Sequence, residues 1–210
     1  MNIFIVNGSA RNDGTCKFIA DKLKSTIIEI NKEANISVFT LAESKILPCE
    51  GCVACCADKN KHCFLDDDIK HIYEQMEKAD VLVYLSPIYD CFISGSMKNF
   101  IDRTNYYTSF FKLAGKPMNL ILCGVQPLVG ETKEFSNKHV VKTIKDYFLN
   151  YSYINHTKFN FLKFFQVQTH HSINIITENL DKDFNKIAKT LIKQKIDLEI
   201  VKASQYEYRV

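Results

Sequence analysis

The chain has 210 residues, of which 46% are hydrophobic and only 7 are glycine, a composition that can bury a core and excludes disorder and fibrous repeats. Its 27 basic and 24 acidic residues leave a net charge of +3 with the basic side chains scattered, so no electrostatic footprint for nucleic acid is present. No window approaches the ~20 apolar residues that span a bilayer, and no basic lead-in precedes the short apolar run at the amino end.

These readings give the expectation of a cytoplasmic protein without a membrane partner. In a reducing compartment clustered thiols are more often metal ligands or redox groups than disulfides, which bears on the eight cysteines. The length fits a single domain over 1–210, with a cysteine-rich loop inserted at about 48–65.

Taken in chain order, apolar runs and helical periodicities alternate. "NIFIVN" (Asn2 to Asn7) reads as a buried strand and ends in the polar loop "GSARNDGT". From Cys16 the apolar positions Ile19, Leu23, Ile27 and Ile30 fall on one helical face. "ISVFTL" (Ile36 to Leu41) is the next strand, followed by the cysteine loop and a helix from "DDD" with Ile69, Ile72, Tyr73 and Met76 inward. "DVLVYLSP" (Asp80 to Pro87) is nearly all apolar, as a strand covered on both faces must be. "SGSMKNFIDRTNYY" then has Met97, Phe100, Ile101 and Thr104 at helical spacing, "MNLILCGV" (Met118 to Val125) repeats the strand pattern, and "EFSNKHVVKTIKDYFLN" is helical. The last third carries one or two strands of unfixed register and a helix with Phe184, Ile187, Ala188 and Leu191 inward. Such alternation predicts an α/β fold: a five-stranded, doubly wound parallel sheet with helices on both faces.

In a sheet of order 2-1-3-4-5 the ligand crevice lies beyond the carboxyl ends of strands one and three. Two loops fall there, "GSARNDGTC" and "SPIYDCFISG". The first offers the hydroxyls of Ser9 and Thr15, the guanidinium of Arg11, amide groups at Asn12 and Gly14, and a helix amino end, a set that suits a phosphate. A plain turn with an N-cap draws on the same residue types, so the loop by itself leaves both readings open. In the second loop Pro87 fixes the backbone, Tyr89 offers an aromatic face, and Ser94 and Gly95 open a helix.

The segments "NGSARNDGT" and "SPIYDCFISGSMKNFIDR" together resemble the flavodoxin-like NADPH-dependent FMN reductases, and "PCEGCVACCADKNKHCFLDDD" is similar to their iron-sulfur flavoprotein branch. The resemblance covers roughly residues 1 to 130. It implies FMN at the switch point, with Ser9, Arg11, Asn12, Gly14, Thr15 and Cys16 around the phosphate. Pro87, Ile88 and Tyr89 would lie against the isoalloxazine, with Cys91 and Ser94 in the same loop. Gly124, Val125 and the rest of "GVQPLVGE" would flank the ring's other edge. Where the family often has Gly, this chain has Cys91. The resemblance also implies a homo-oligomer, a homodimer or homotetramer, in which redox centres of neighbouring subunits approach each other.

Cys49, Cys52 and Cys55 follow C-x2-C-x2-C, and Cys63 comes seven intervening residues later. That spacing lets one tight loop turn three thiolates toward a common centre, with a fourth returning, as a [4Fe-4S] cluster requires; the ferredoxin run starts the same way. Thiols without a cluster, a zinc site with His62, or a redox disulfide remain alternatives. Cys56 is a spare that could replace Cys55. Cys16, Cys91 and Cys123 on or near core elements read as small buried hydrophobes. Asp66 to Asp68 read as acids complementing a helix dipole rather than a cation site. The adjacent His170 and His171 point in different directions and receive no role.

The expected function is an FMN-dependent oxidoreductase passing electrons between NAD(P)H or a ferredoxin-type partner, FMN and the cluster, with no catalytic side chain, because flavin chemistry asks mainly for orientation and electrostatics. The alternatives are an NAD(P)H-dependent FMN or quinone reductase without a cluster, and a non-enzymatic electron carrier or redox sensor on the same fold.

Overall fold

The computed structural model describes residues 1–58, 63–126, 137–168 and 173–207. Among these, strand β1 (Asn2–Asn7) leads into helix α1 (Thr15–Ile30), then β2 (Asn35–Thr40), α2 (Ile69–Lys78), β3 (Val81–Tyr89), β4 (Phe92–Ile93), α3 (Gly95–Arg103) and α4 (Asn105–Phe110). β5 (Pro117–Gly124), α5 (Lys138–Ile154), β6 (Lys158–Val167), β7 (Ile175–Ile176), α6 (Leu180–Lys193) and α7 (Leu198–Glu207) complete the chain.

Five strands run parallel in the order β2-β1-β3-β5-β6, which in chain order is the expected 2-1-3-4-5. Two additional strands of two residues each pair antiparallel, β4 with β3 and β7 with β6, giving seven among the described residues. Segments that short carry no periodicity, so the sequence reading of five strands passes over them.

Alternation along the strands divides the core between the two faces of the sheet. Ile3 and Ile5 of β1 and Val81, Val83 and Leu85 of β3 pack with Ile19, Leu23 and Ile27 of α1 and with Phe184, Ile187 and Leu191 of α6. Phe4, Val6, Leu82 and Tyr84 face the other way, against Ile72 and Met76 of α2, Met97 and Phe100 of α3 and Ile144 and Phe148 of α5. The inward positions read for α2 and α6 are all buried, whereas Ile30, at the last turn of α1, is exposed. The register of β6 escapes the sequence because it shifts against β5 between Leu120 and Ile121: Leu120 faces Phe161 and Ile121 faces Lys163, so Leu162 is an extra residue.

Candidate flavin crevice and cysteine pocket

The loops after β1 and β3 meet, although about eighty residues separate them. The Gly8 N–H donates to the Leu85 carbonyl at 2.8 Å, extending the strand pairing past the end of β1. The buried Ser94 hydroxyl donates to the Gly8 carbonyl and accepts the Met97 N–H at 3.1 Å, and the Ser94 N–H donates to Ser86 Oγ at 3.2 Å. Ser94 is thus the N-cap of α3 and the tie between the two loops. Close approach is needed at Gly8, where a Cβ would stand 2.7 Å from Met97 Cε and 2.8 Å from Met97 Cβ.

Inside the first loop, side chains replace strand pairing as the source of hydrogen bonds. Asn7 Oδ1 accepts the Ser9 N–H at 3.1 Å, and Ser9 Oγ accepts the Arg11 N–H at 3.1 Å, two successive side-chain turns that stiffen the backbone. No side chain caps the amino end of α1 at Gly14. The Arg11 guanidinium folds back over Gly14, close enough that a Cβ there would meet Nη2 at 2.9 Å. Arg11 Nε and Asn7 Nδ2 are buried without a hydrogen-bond partner among the described residues. The unsatisfied Arg11 donor beside the helix amino end is what an anion would satisfy.

The second loop turns in two residues. Tyr89 pairs with Phe92 across Asp90 (φ 44°) and Cys91 (φ 65°), both in the left-handed region that a type I′ hairpin demands. Gly is favoured at such a position, and this chain has the exposed Cys91 there.

One cleft joins these parts. Ser9, Arg11, Thr15 and Cys16 line one wall and Pro87, Ile88 and Tyr89 the other, with Cys123, Gly124, Val125 and Val167 at the end of β5 and β6. Asn12 and Cys91 are exposed and lie outside that lining, Gly14 lies beneath Arg11, and Ser94 sits in the wall behind the cleft. Residues 127–131 of the third loop fall outside the described residues, as do His62, His170 and His171. The free volume of the cleft is about 30 Å³, room for a water or two. Two members were not legible as site residues. Cys123 read as core, although its place just before Gly124 at the carboxyl end of a strand was an available signal; Val167 lies in the strand of unfixed register. Cys16 and Cys123 stand Sγ to Sγ at 3.2 Å, and their mutual contact, with burial, pushes the Cys16 thiol well above the ordinary range.

The cysteine loop forms a second pocket. Cys49, Cys52, Cys55 and Cys63 line one cavity with Leu65, Arg103 and Asn105, and the left-handed Gly51 (φ 66°) and Val53 (φ 52°) turn the chain between the thiols. Burial first, then contact with Cys56, pushes the Cys55 thiol up to about 12, with Cys63 and Cys49 adding to it. Among the described residues no group of three His, Cys, Asp or Glu is already drawn together at metal-holding geometry. Cys56 is not in that lining, but its Sγ lies 3.8 Å from Cys55 Sγ and accepts from Asn105 Nδ2 at 3.4 Å.

A buried ion pair holds this loop. Arg103, at the end of α3, donates to Asp67 through Nη1 at 2.6 Å and Nη2 at 3.1 Å, with the two side chains 1% and 0% exposed. Asp67 also accepts the Leu47 and Ile69 N–H groups, while Arg103 donates to the Leu47 carbonyl. Burial alone would raise the Asp67 carboxyl, but Arg103 and the two N–H groups outweigh it and hold the carboxyl below its ordinary range. Asp68 accepts the Lys45 N–H at 2.7 Å. Besides opening α2, the acidic run therefore ties the cysteine loop to α2 and α3. Helix α3, nine residues and about 13 Å long, starts at the crevice and ends at the cysteine pocket.

A five-stranded parallel sheet of order 2-1-3-4-5 with two loops converging beyond β1 and β3 is the flavodoxin-like arrangement, with its crevice at the switch point. Residues 1–155 match the NADPH-dependent FMN reductase family, and the chain belongs to that family. It is 27% identical over 154 residues to an iron-sulfur flavoprotein of Methanocaldococcus jannaschii, a match covering 73% of this chain and 75% of that one. In fold it is similar to an NADH:FMN oxidoreductase solved in the apo form, with a TM-score of 0.62 at 17% identity, covering 95% of this chain and 92% of the other. It is likewise similar to general stress protein 14 of Treponema denticola in complex with FMN, with a TM-score of 0.53 at 14% identity and coverage of 91% and 94%. No helix among the described residues is long and apolar enough to cross a membrane.

Proposed function

We propose that this chain is an iron-sulfur flavoprotein: FMN lies in the crevice, a [4Fe-4S] cluster in the cysteine pocket, and electrons pass between them. The observation that carries the first half is Arg11, whose Nε is buried without a hydrogen-bond partner among the described residues and whose guanidinium lies against Gly14, the N-cap of α1, in the lining of the crevice. Ser9, Arg11 and Thr15 would hold the phosphate, and Pro87, Ile88 and Tyr89 would support the ring. The role of Arg11 is to pair with the phosphate, an exchange of an unsatisfied donor for a charge-assisted hydrogen bond. Bound FMN supplies a carrier that takes electrons in pairs or singly, while the protein orients it and excludes water.

The second half is supported by four thiols facing one cavity in a C-x2-C-x2-C spacing with a returning fourth, and by the iron-sulfur name of the Methanocaldococcus relative. The Arg103 guanidinium, paired with Asp67, lines the same cavity as the four thiols. NAD(P)H or a ferredoxin-type protein would serve as the outer redox partner. A homo-oligomer fits the exposed Leu149, Tyr153 and Ile154 of α5, next to the groove that includes Cys49 and Gly51. Protein purified without oxygen should be brown, with flavin absorbance over a broad shoulder that bleaches on reduction. A yellow protein without iron removes the cluster and leaves a cluster-free reductase.

A further inference from the structure

Two cysteines that the cluster does not use stand together in the crevice. Cys16 belongs to the first turn of α1 and Cys123 to the last residues of β5; they are 107 positions apart in sequence, yet their Sγ atoms are in contact at 3.2 Å. Formation of a bond of ~2.05 Å needs the sulfurs to approach by only about 1.1 Å. Both side chains are at least 96% buried, since Cys16 is 2% and Cys123 4% exposed. The little surface they keep faces the cleft, where both line the same walls as Arg11 and Tyr89.

This placement separates the pair from an ordinary contact of small core side chains. A thiol held protonated and buried is a poor nucleophile toward disulfides or alkylating agents in bulk solvent. Whatever oxidises the two sulfurs must therefore occupy the cleft itself. We propose that Cys16 and Cys123 are a dithiol–disulfide couple served by the flavin of the crevice. In the oxidising direction the two S–H bonds break, one Sγ–Sγ bond forms, and the two electrons and two protons released convert one oxidised FMN to its dihydro form. The reverse direction returns both to the starting state. The couple rests on the reading of the crevice as an FMN site. Closed, the bond ties the first turn of α1 to the end of β5; open, the two thiols hold two electrons beside the flavin.

The test follows the thiols rather than turnover. Flavin-loaded protein is reduced with dithionite without oxygen, freed of reductant, and acid-quenched at successive stages of reoxidation; alkylation in denaturant and peptide mass spectrometry then report each cysteine. A linked Cys16–Cys123 peptide is expected to dominate when the flavin is oxidised and to vanish on full reduction. Reductive titration should consume two electrons per chain more in the wild type than in the Cys16→Ser/Cys123→Ser double variant, or in Cys16→Ala alone if the double variant does not fold. Two freely alkylated thiols beside a fully oxidised, bound flavin, with equal electron counts, overturn the couple. Should the chain bind no FMN in a fluorescence titration, the flavin reading falls and the couple with it; FMN bound with both thiols free overturns the couple alone.

Discussion

Substituting Asp67→Asn keeps the shape of the side chain and removes its charge, leaving the Arg103 guanidinium buried beside a neutral partner. Breaking a buried ion pair from one side costs about 3–5 kcal/mol, because the orphaned charge keeps its desolvation penalty without its attraction. At ~2–4 °C per kcal/mol for a chain of this size, the melting temperature should fall by roughly 6–20 °C. The pair joins Leu47, α2 and α3, so amide exchange at Leu47, whose N–H Asp67 accepts at 2.8 Å, should lose protection at the same time. The assay is urea and thermal unfolding of metal-free protein, which keeps any metal linkage out of the comparison. The double variant Asp67→Leu/Arg103→Met should recover most of the loss, since removing both charges leaves nothing uncompensated. A loss below about 1 kcal/mol for Asp67→Asn, with Leu47 still protected, refutes the view that this pair anchors the cysteine loop.

Other outcomes follow from the same geometry. Because the Asp67 carboxyl is held below its ordinary range, its contribution is present above the unfolded value of ~3.9 and lost as pH falls through the folded one; stability measured from pH 6 to pH 3 should decline less steeply in Asp67→Asn than in the wild type. Cys91→Gly relieves a non-glycine residue at φ 65° in the hairpin and should raise stability by about 1 kcal/mol, read as an upward shift in thermal midpoint. Gly115→Ala sets a Cβ 2.4 Å from the Asp197 carbonyl at a φ of 75° and should cost more than ~2 kcal/mol or abolish soluble expression. Gly8→Ala drives a Cβ into Met97 where the two loops meet, and should weaken FMN binding in a fluorescence titration more than it lowers the melting temperature.

The buried strands announced themselves because a parallel strand covered on both faces is a continuous apolar run, as "VLVYL" and "NLILC" are. The two loops at the switch point were legible for a related reason: polar, hydroxyl-rich and glycine-containing segments directly after such runs have no packing role to explain them. What resisted reading was set by contacts between distant positions. Arg103 was not singled out on its helix, and Asp67 read as a helix-opening acid; only folding brings them together. Cys16 and Cys123 were each plausible core residues, and nothing local encodes their contact. The extra Leu162 hid the register of β6, and with it Val167 in the crevice wall.

The central claim is that the loops after β1 and β3 together hold one FMN, with Arg11 on its phosphate. Titration of flavin-free protein with FMN, followed by quenching of flavin fluorescence, tests it most directly when run beside Arg11→Ala. One FMN per chain is expected, with affinity falling by roughly 10- to 150-fold in the variant, the range that ~1.5–3 kcal/mol for a hydrogen bond to a charged group implies. No saturable binding by the wild type, or identical titrations for the two proteins, contradicts it.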